Sequence, residues 1–130
     1  MRVLILLMSF LLLFSTLSYA KSSSEYDALY ANCVDENEPI NNMVVAKCSA
    51  VVSDKAMAEI SRRYQSIHLR FTKASPEALS SFEMSQKAWI QYRNTHCDLA
   101  GRYVGQPMFD FCPMKMNAAR ALELRMLDSD

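Results

Sequence analysis

The sequence predicts an all-α domain built on a long antiparallel helix hairpin, with flanking short helices and two disulfides. Only 2 glycines occur among the 130 residues, and no run of alternating β-branched residues follows the N-terminal segment. Apolar residues recur instead at spacings of three and four, which is the period of one helix face. The sequence contains four cysteines, which is enough for two disulfides.

The first twenty residues have the three parts of a secretory signal peptide. Arg2 is the positive start, residues 3–14 are apolar apart from Ser9, and small residues precede the end of the stretch at Ala20. The apolar run is too short to span a bilayer, which takes about 20 residues. We therefore expect cleavage after Ala20. The residue directly after that point is Lys21 and not a cysteine, so we expect a domain of residues 21–130 without a lipid anchor, periplasmic or secreted.

The composition after the predicted cleavage argues against several partner classes. The remaining 110 residues suffice for one domain. Without Arg2 the basic side chains number 13 against 14 acidic ones, so neither nucleic acid nor an anionic membrane surface is an expected partner. The two histidines are far apart and no C-x-x-C motif occurs. We therefore expect no metal and no cofactor.

The first half of the domain predicts two helices. A short helix over residues 26–33 is followed by an acidic loop, residues 35–39, which ends in a proline. The longest helix is expected to begin near Asn41 or Asn42, either of which is a good N-cap, and to reach about Lys73. On this helix Glu59 and Arg63, four residues apart, are expected to pair on the solvent side.

The second half predicts two further helices separated by a loop. Ser75 can cap a new helix, and Pro76 suits its first position. This helix is expected to reach about Ala100 and to end at Gly101 as a left-handed C-cap. We expect a loop over residues 102–112 and a final helix from Pro113 to about residue 127.

An even number of cysteines in a short exported chain predicts two disulfides. Three pairings of the four cysteines are possible. The predicted helix layout favours the local pairing, because each bridge then joins two consecutive antiparallel helices across their connection. Each local bridge closes a loop of about 15 residues, which stabilises the fold by roughly 3 kcal/mol. The favoured pairs are Cys33 with Cys48 and Cys97 with Cys112.

A motif on the third helix resembles the core of the lysozyme inhibitor LprI-like family. The motif consists of a glutamine, a tryptophan three residues later, a Tyr-Arg pair and a cysteine four residues after the arginine. All of these positions match, and they are Gln86, Trp89, Tyr92, Arg93 and Cys97.

The resemblance extends over roughly residues 33–127. Cys48 precedes Tyr64 by sixteen residues, as in the family, and Arg120 with Leu124 resembles its closing Arg-x-x-x-Leu. Gln86, Trp89 and Arg93 share one helix face, and for them we favour a structural role in a packed polar network over direct contact with a partner.

Three positions depart from the family pattern. Met57 and Ser61 stand where the family usually has aspartate and asparagine, and Asn117 replaces its common threonine. These departures leave the expected fold unchanged. An activity that depends on the polar groups of the family would be affected by them.

The resemblance implies an exported, non-catalytic inhibitor that binds a lysozyme and occludes its cleft. The sequence offers two candidate contact surfaces. The acidic loop with Asp35, Glu36 and Glu38 would attract a basic enzyme. In the second loop, Arg102 and Tyr103 suit a cleft that presents carboxylates. The alternative for both loops is that they are solvated connections only.

Two other function classes are alternatives to the inhibitor. One is a periplasmic binding module for another envelope protein or a bacterial cell-wall hydrolase. The other is a small cell-wall enzyme, for which Glu83 and Asp98 are the candidate acids, although no spacing marks a catalytic pair. A cysteine nucleophile beside His96 is disfavoured, because neighbouring residues on a helix point about 100° apart. We therefore expect no enzymatic activity.

Overall fold

The computed structural model describes residues 24–129, so the predicted signal peptide and its cleavage site lie outside the described residues. The described chain forms four α-helices and no strand, which confirms the predicted all-α class. Their bounds are α1, Glu25–Asp35; α2, Asn42–Ala74; α3, Pro76–Tyr103; and α4, Pro107–Leu127.

Successive helices run in opposite directions. The contacts of α2 with its neighbours show this: Tyr26 near the start of α1 reaches Glu59, while Cys33 near its end bonds to Cys48. On the other side of α2, Phe71 packs on Phe82 and Met57 contacts Arg93, so α3 returns antiparallel. The connections α1–α2 and α3–α4 therefore lie at the same end of the bundle, and the α2–α3 connection lies at the opposite end.

Polar side chains begin the first three helices where the sequence places good N-caps. Ser24 and Asp27 form a reciprocal capping box at α1. The Asn41 side chain accepts hydrogen bonds from the first turn of α2, which decides between the two predicted caps. Ser75 caps α3 and Pro76 is its first residue, as predicted.

The predicted boundary between the last two helices is wrong. Helix α3 continues through Gly101 to Tyr103, and α4 begins at Pro107, so the predicted loop over residues 102–112 shrinks to 104–106. Gly101 is buried inside the helix, where a Cβ would overlap the ring of Phe109. A close approach of α4 to α3 therefore explains this glycine. The left-handed position is Gly105, with φ of 119°.

Pro113 lies inside α4 and does not open it. Proline removes one helical hydrogen bond and usually bends a helix. Here its neighbours Cys112 and Met114 are both buried, and Cys112 is also tied to α3 by its disulfide. Packing on both sides of the proline keeps this turn helical despite the lost hydrogen bond.

The hydrophobic core lies mainly between α1, α2 and α4, and α2 packs most extensively against α4. Helix α3 is more peripheral, with Phe82 as its contribution to the central cluster. Tyr64 stacks on Phe82 with ring centres 5.1 Å apart. The remaining buried members of the cluster are Tyr26, Val52, Ala56, Ile60, Ile67, Met114, Ala118, Ala121 and Leu124.

Glu59 lies in the core and not on the solvent side, which corrects the sequence-based expectation. Only 5% of the residue is exposed. Arg125 donates two hydrogen bonds of 2.7 Å to the Glu59 carboxylate, one to each oxygen, and Tyr26 donates a third from its hydroxyl at 2.5 Å. The predicted partner Arg63 is also present, with its Nε 3.5 Å from Oε1. Three helices thus meet on one buried carboxylate.

In this cluster the pKa values of Glu59 and Tyr26 are both shifted from their usual ranges. The hydrogen bonds from Arg125 outweigh the effect of burial and lower the pKa of Glu59 to about 2. Burial and the neighbouring carboxylate raise the pKa of the Tyr26 hydroxyl. Glu59 is therefore ionised, and Tyr26 remains a donor, throughout the neutral range.

The disulfides join Cys33 to Cys48 and Cys97 to Cys112, which confirms the predicted pairing. Their Cα atoms are 5.6 and 5.5 Å apart, within the usual range for a cystine. None of the four helices described is both long and apolar enough to cross a bilayer.

We expect Glu59→Gln to lower the free energy of unfolding by about 2–3 kcal/mol at pH 7, because it removes the charge that Arg125 and Tyr26 bind. A carboxyl with a depressed pKa stabilises the fold fully above its unfolded pKa. For Glu59 that stabilisation is lost as the pH falls from about 4.5 to about 2. Urea unfolding at several pH values should therefore show the two proteins converging in acid.

Glu38→Gln, which alters an exposed loop acid, is the matched control and should change stability by less than about 0.5 kcal/mol. A difference between Glu59→Gln and the native protein that stays constant from pH 7 to pH 2 would contradict the assigned role of the carboxylate.

Candidate functional site

Both candidate contact surfaces lie at one end of the bundle. The α1–α2 connection carries the acidic residues, and the α3–α4 connection follows Arg102 and Tyr103. Each connection is closed by a disulfide. We call this end, comprising residues 33–48 and 97–112, the disulfide end. The structure thus brings together two surfaces that are about 65 residues apart in the sequence.

The acidic connection is short and tied to its neighbours. Asp35 is the last residue of α1 and Glu36 is its C-cap, so the predicted loop begins one residue later than expected. Asn37 donates from its side chain to the Cys33 carbonyl at 2.7 Å and accepts from Lys47 at 2.7 Å. Each of the three acids, Asp35, Glu36 and Glu38, is exposed to solvent.

Arg102 and Tyr103 occupy the last turn of α3 and not a loop, which corrects their predicted setting. The Arg102 guanidinium donates to Asp98 at 2.8 Å, one turn earlier on the same helix. Tyr103 is 84% exposed. Of the two residues, therefore, Arg102 already has a carboxylate partner, whereas the Tyr103 ring has most of its surface available for contact.

A group of exposed apolar side chains at the disulfide end was not among the predicted contact residues. Met43 is 82% exposed and Val104 is 73% exposed. Ile40 and Phe109 are also exposed. Apolar side chains exposed at the same end of the bundle are candidates for contact with a partner. In the sequence, the only indication of this exposed apolar group is that apolar residues lie next to the predicted turns.

The family-type motif forms a polar and aromatic network between α3 and α4. The Arg93 guanidinium lies 4.9 Å from the Trp89 ring centre, and that of Arg120 lies 5.7 Å from it. Arg120 also donates to Gln86 at 3.0 and 3.1 Å, and Arg93 donates to Asn117 at 2.8 Å. These contacts join the two helices midway along the bundle.

Tyr92 differs from its neighbours in the motif. It is 60% exposed and stacks on His96, one turn later on α3. Tyr92 therefore belongs to the surface of the protein.

The three departures from the family pattern lie close to this network. Met57 and Ser61 line a groove between α2 and α3, and the Met57 sulfur is 3.6 Å from the Arg93 guanidinium. Asn117, which accepts from Arg93, donates in turn to Ser53 on α2 at 2.7 Å. Two of the departures, Met57 and Asn117, therefore contact one arginine, Arg93.

Both candidate catalytic acids are exposed, and each lies beside a basic side chain. Glu83 lies 3.0 Å from the His68 ring nitrogen, and Asp98 pairs with Arg102. All four cysteines are paired. Among residues 24–129, no group of three or more potential metal ligands of the His, Cys, Asp or Glu type lies together.

Trp89→Ala is expected to destabilise the protein by about 2–3 kcal/mol, because it removes a half-buried ring on which two guanidinium groups lie. Tyr92→Ala, its matched control from the same motif, should cost less than about 0.5 kcal/mol. Thermal and urea unfolding measure both. Equal losses would show that the network does not distinguish the two aromatic residues.

Comparison with known proteins identifies the family. The family model described as "Lysozyme inhibitor LprI" matches residues 20–124, which span almost the whole described chain. No curated protein and no solved structure gives a significant match. Since the matched region includes all four helices almost to the end of α4, the chain belongs to the lysozyme inhibitor LprI family.

Proposed function

We propose that this protein inhibits a lysozyme by placing its disulfide end against the enzyme and occluding the cleft. Membership of a lysozyme inhibitor family supports the inhibitory role. The observation that carries the proposed contact surface is that both candidate surfaces meet at one end, each closed by a disulfide.

The charge of this end suits a basic enzyme. Asp35, Glu36 and Glu38 are exposed within four residues of one another. Exposed charges of this kind mainly increase the rate of association, because they attract a partner of opposite charge before contact. Their contribution should decrease when salt screens the attraction.

The apolar groups at the same end supply the contact itself. Interfaces are centred on buried aromatic and large apolar side chains, and their polar rims contribute less energy. Tyr103 is the strongest candidate for such a centre because its ring is almost fully exposed next to the equally exposed Val104. In the proposed complex, Tyr103 enters the enzyme cleft and the acidic connection lies at its edge.

The disulfides reduce the entropy lost on binding. Cys33–Cys48 and Cys97–Cys112 each hold the two helices that flank a candidate surface. A surface that is already ordered before association loses less conformational freedom on forming a complex. The short α3–α4 connection, residues 104–106, adds to this rigidity.

We also propose that the protein acts outside the cytoplasm after cleavage near Ala20. Paired cysteines support this, because disulfides persist in oxidising compartments. Mass spectrometry of the protein from the periplasm or the medium would determine its N-terminus. An intact Met1 would contradict the proposed processing.

Two other functions give different results in the same experiments. An envelope-binding module would leave lysozymes unaffected but retain an envelope protein in a pull-down. A cell-wall enzyme would release fragments from labelled peptidoglycan without added lysozyme, and changing Glu83 or Asp98 would abolish the release. Membership of an inhibitor family favours the non-catalytic function.

The proposal is tested with purified protein in a peptidoglycan lysis assay against c-type, g-type and i-type lysozymes. We expect stoichiometric inhibition of at least one type. Tyr103→Ala should weaken binding by about tenfold to thirtyfold, the usual effect of removing a central aromatic residue. Leu69→Ala is the matched control, since Leu69 is 61% exposed but lies toward the opposite end of α2.

Neutralising the acidic residues of the α1–α2 connection tests whether they increase the association rate, separately from the contact made by Tyr103. The triple variant Asp35→Asn, Glu36→Gln and Glu38→Gln should lower the association rate by about tenfold at low ionic strength and much less at high salt. Stopped-flow or surface plasmon resonance measures the rate. Absence of inhibition by the native protein at stoichiometric excess over every lysozyme type would exclude the proposed function.

A further inference from the structure

A groove of about 420 Å³ opens between α2 and α3, midway along the bundle. Its volume lies within the range of small-molecule sites. Ile60 and Tyr64 belong to the side of α2 that faces the core, and Met57 and Ile90 form exposed edges on the two helices. The remaining lining residues are Ser61, Glu83, Gln86 and Lys87. The groove is therefore mainly apolar, with a few polar groups at its margin.

A positively charged group stands next to the groove without an anionic partner. Arg93 is half-buried, and its hydrogen bonds go to neutral acceptors: the side-chain oxygens of Asn94 and Asn117, and the sulfur of Met57. Among the residues described, no carboxylate lies within ion-pair distance of Arg93. Burial lowers the pKa of this guanidinium, and no nearby carboxylate offsets that effect.

Half-buried arginines are ordinarily paired, because an isolated buried charge is costly. Three other half-buried arginines illustrate this: Arg125 binds Glu59, Arg63 binds Asp128, and Arg120 binds Glu123. Arg93 is different from these. An anion that reached its guanidinium would complete a charge-assisted hydrogen bond that the fold leaves unmade.

Lys87 adds a second positive charge. It lines the groove on α3, is exposed, and forms no ion pair within residues 24–129. Glu83 is the one acid that lines the groove, and its carboxylate lies 3.0 Å from the His68 ring. Lys87 and Arg93 place two positive charges near this single carboxylate, so the net charge at the margin of the groove favours an anion.

From this arrangement we propose that the groove binds a free medium-chain fatty acid, with its carboxylate at Arg93 and its chain along Met57, Ile60 and Ile90. The chain covers Met57 and Ile90, each of which is 40% exposed, and this burial is the main source of affinity. The carboxylate supplies orientation and specificity. This site is about 22 Å along α2 from the start of that helix, so it is separate from the disulfide end and independent of the proposed inhibition.

The protein contains its own reporter for this binding. Trp89 is the only tryptophan of the chain, and its ring lies under the Arg93 guanidinium. A carboxylate that binds Arg93 changes the charge next to the indole. Titration of the protein with decanoate, below the concentration at which it forms micelles, should therefore give a saturable change in tryptophan fluorescence.

Comparing decanol with decanoate tests, on the native protein, whether the carboxylate contributes to binding. It has the same chain without the charge, and we expect it to bind at least tenfold more weakly than decanoate. Equal affinity for the two, or no saturable signal with decanoate, would overturn the proposal. This comparison requires no variant and so does not depend on the folding of one.

Met57→Asp tests the position of the head group. It places a carboxylate of the protein itself beside Arg93 and should weaken decanoate binding at least tenfold without destabilising the fold. Val51→Asp is the matched control on the same helix, since Val51 is 45% exposed and Met57 is 40% exposed. We expect it to change the affinity less than twofold.

Two results would contradict the proposed position. One is decanoate binding that is unaffected by Met57→Asp. The other is a dimer in sedimentation analysis that Met57→Asp dissociates, which would identify the groove as a contact between two copies of this chain. Circular dichroism and thermal unfolding establish that both variants are folded.

Discussion

The ionised carboxylate of Glu59 is the interaction on which the arrangement of the helices depends. It receives hydrogen bonds from Tyr26 on α1 and Arg125 on α4, while it stands on α2 itself. A buried charge is tolerated only when its oxygens are satisfied. Because these donors come from three helices, only one relative placement of α1, α2 and α4 satisfies it. The apolar core supplies most of the stabilisation, whereas this cluster selects the register in which the core packs.

That register determines where the candidate partner surfaces lie. Antiparallel packing of α1 and α3 against α2 places both disulfides, the acidic connection and Tyr103 at one end. The Trp89 network then joins the more peripheral α3 to α4 midway along the bundle. The protein is thus a helical scaffold with two disulfide-closed connections at one end and a groove on its side. Arg93 belongs to the network of the motif and also contacts Met57 at the edge of that groove.

The errors in the sequence-based predictions have a common physical origin. Gly101 matched the pattern of a helix C-cap, but its absent side chain serves the close approach of Phe109 from α4. Pro113 matched a helix start, yet its buried neighbours keep it inside α4. Glu59 matched an exposed pair with Arg63, although its other partners are 33 and 66 residues away. In each case a contact between distant segments outweighed a local preference.

The sequence by itself predicted the helical class, an N-cap at Asn41 or Asn42, the N-cap at Ser75, the favoured disulfide pairing and the family resemblance. These features depend on local chemistry or on short spacings, which a linear pattern records. Only the tertiary structure decided that Asp35 and Tyr103 share one end, that Glu59 is buried, and that Arg93 lacks a carboxylate beside an apolar groove. Such features depend on which side chains meet across helices, and that is set by packing in three dimensions.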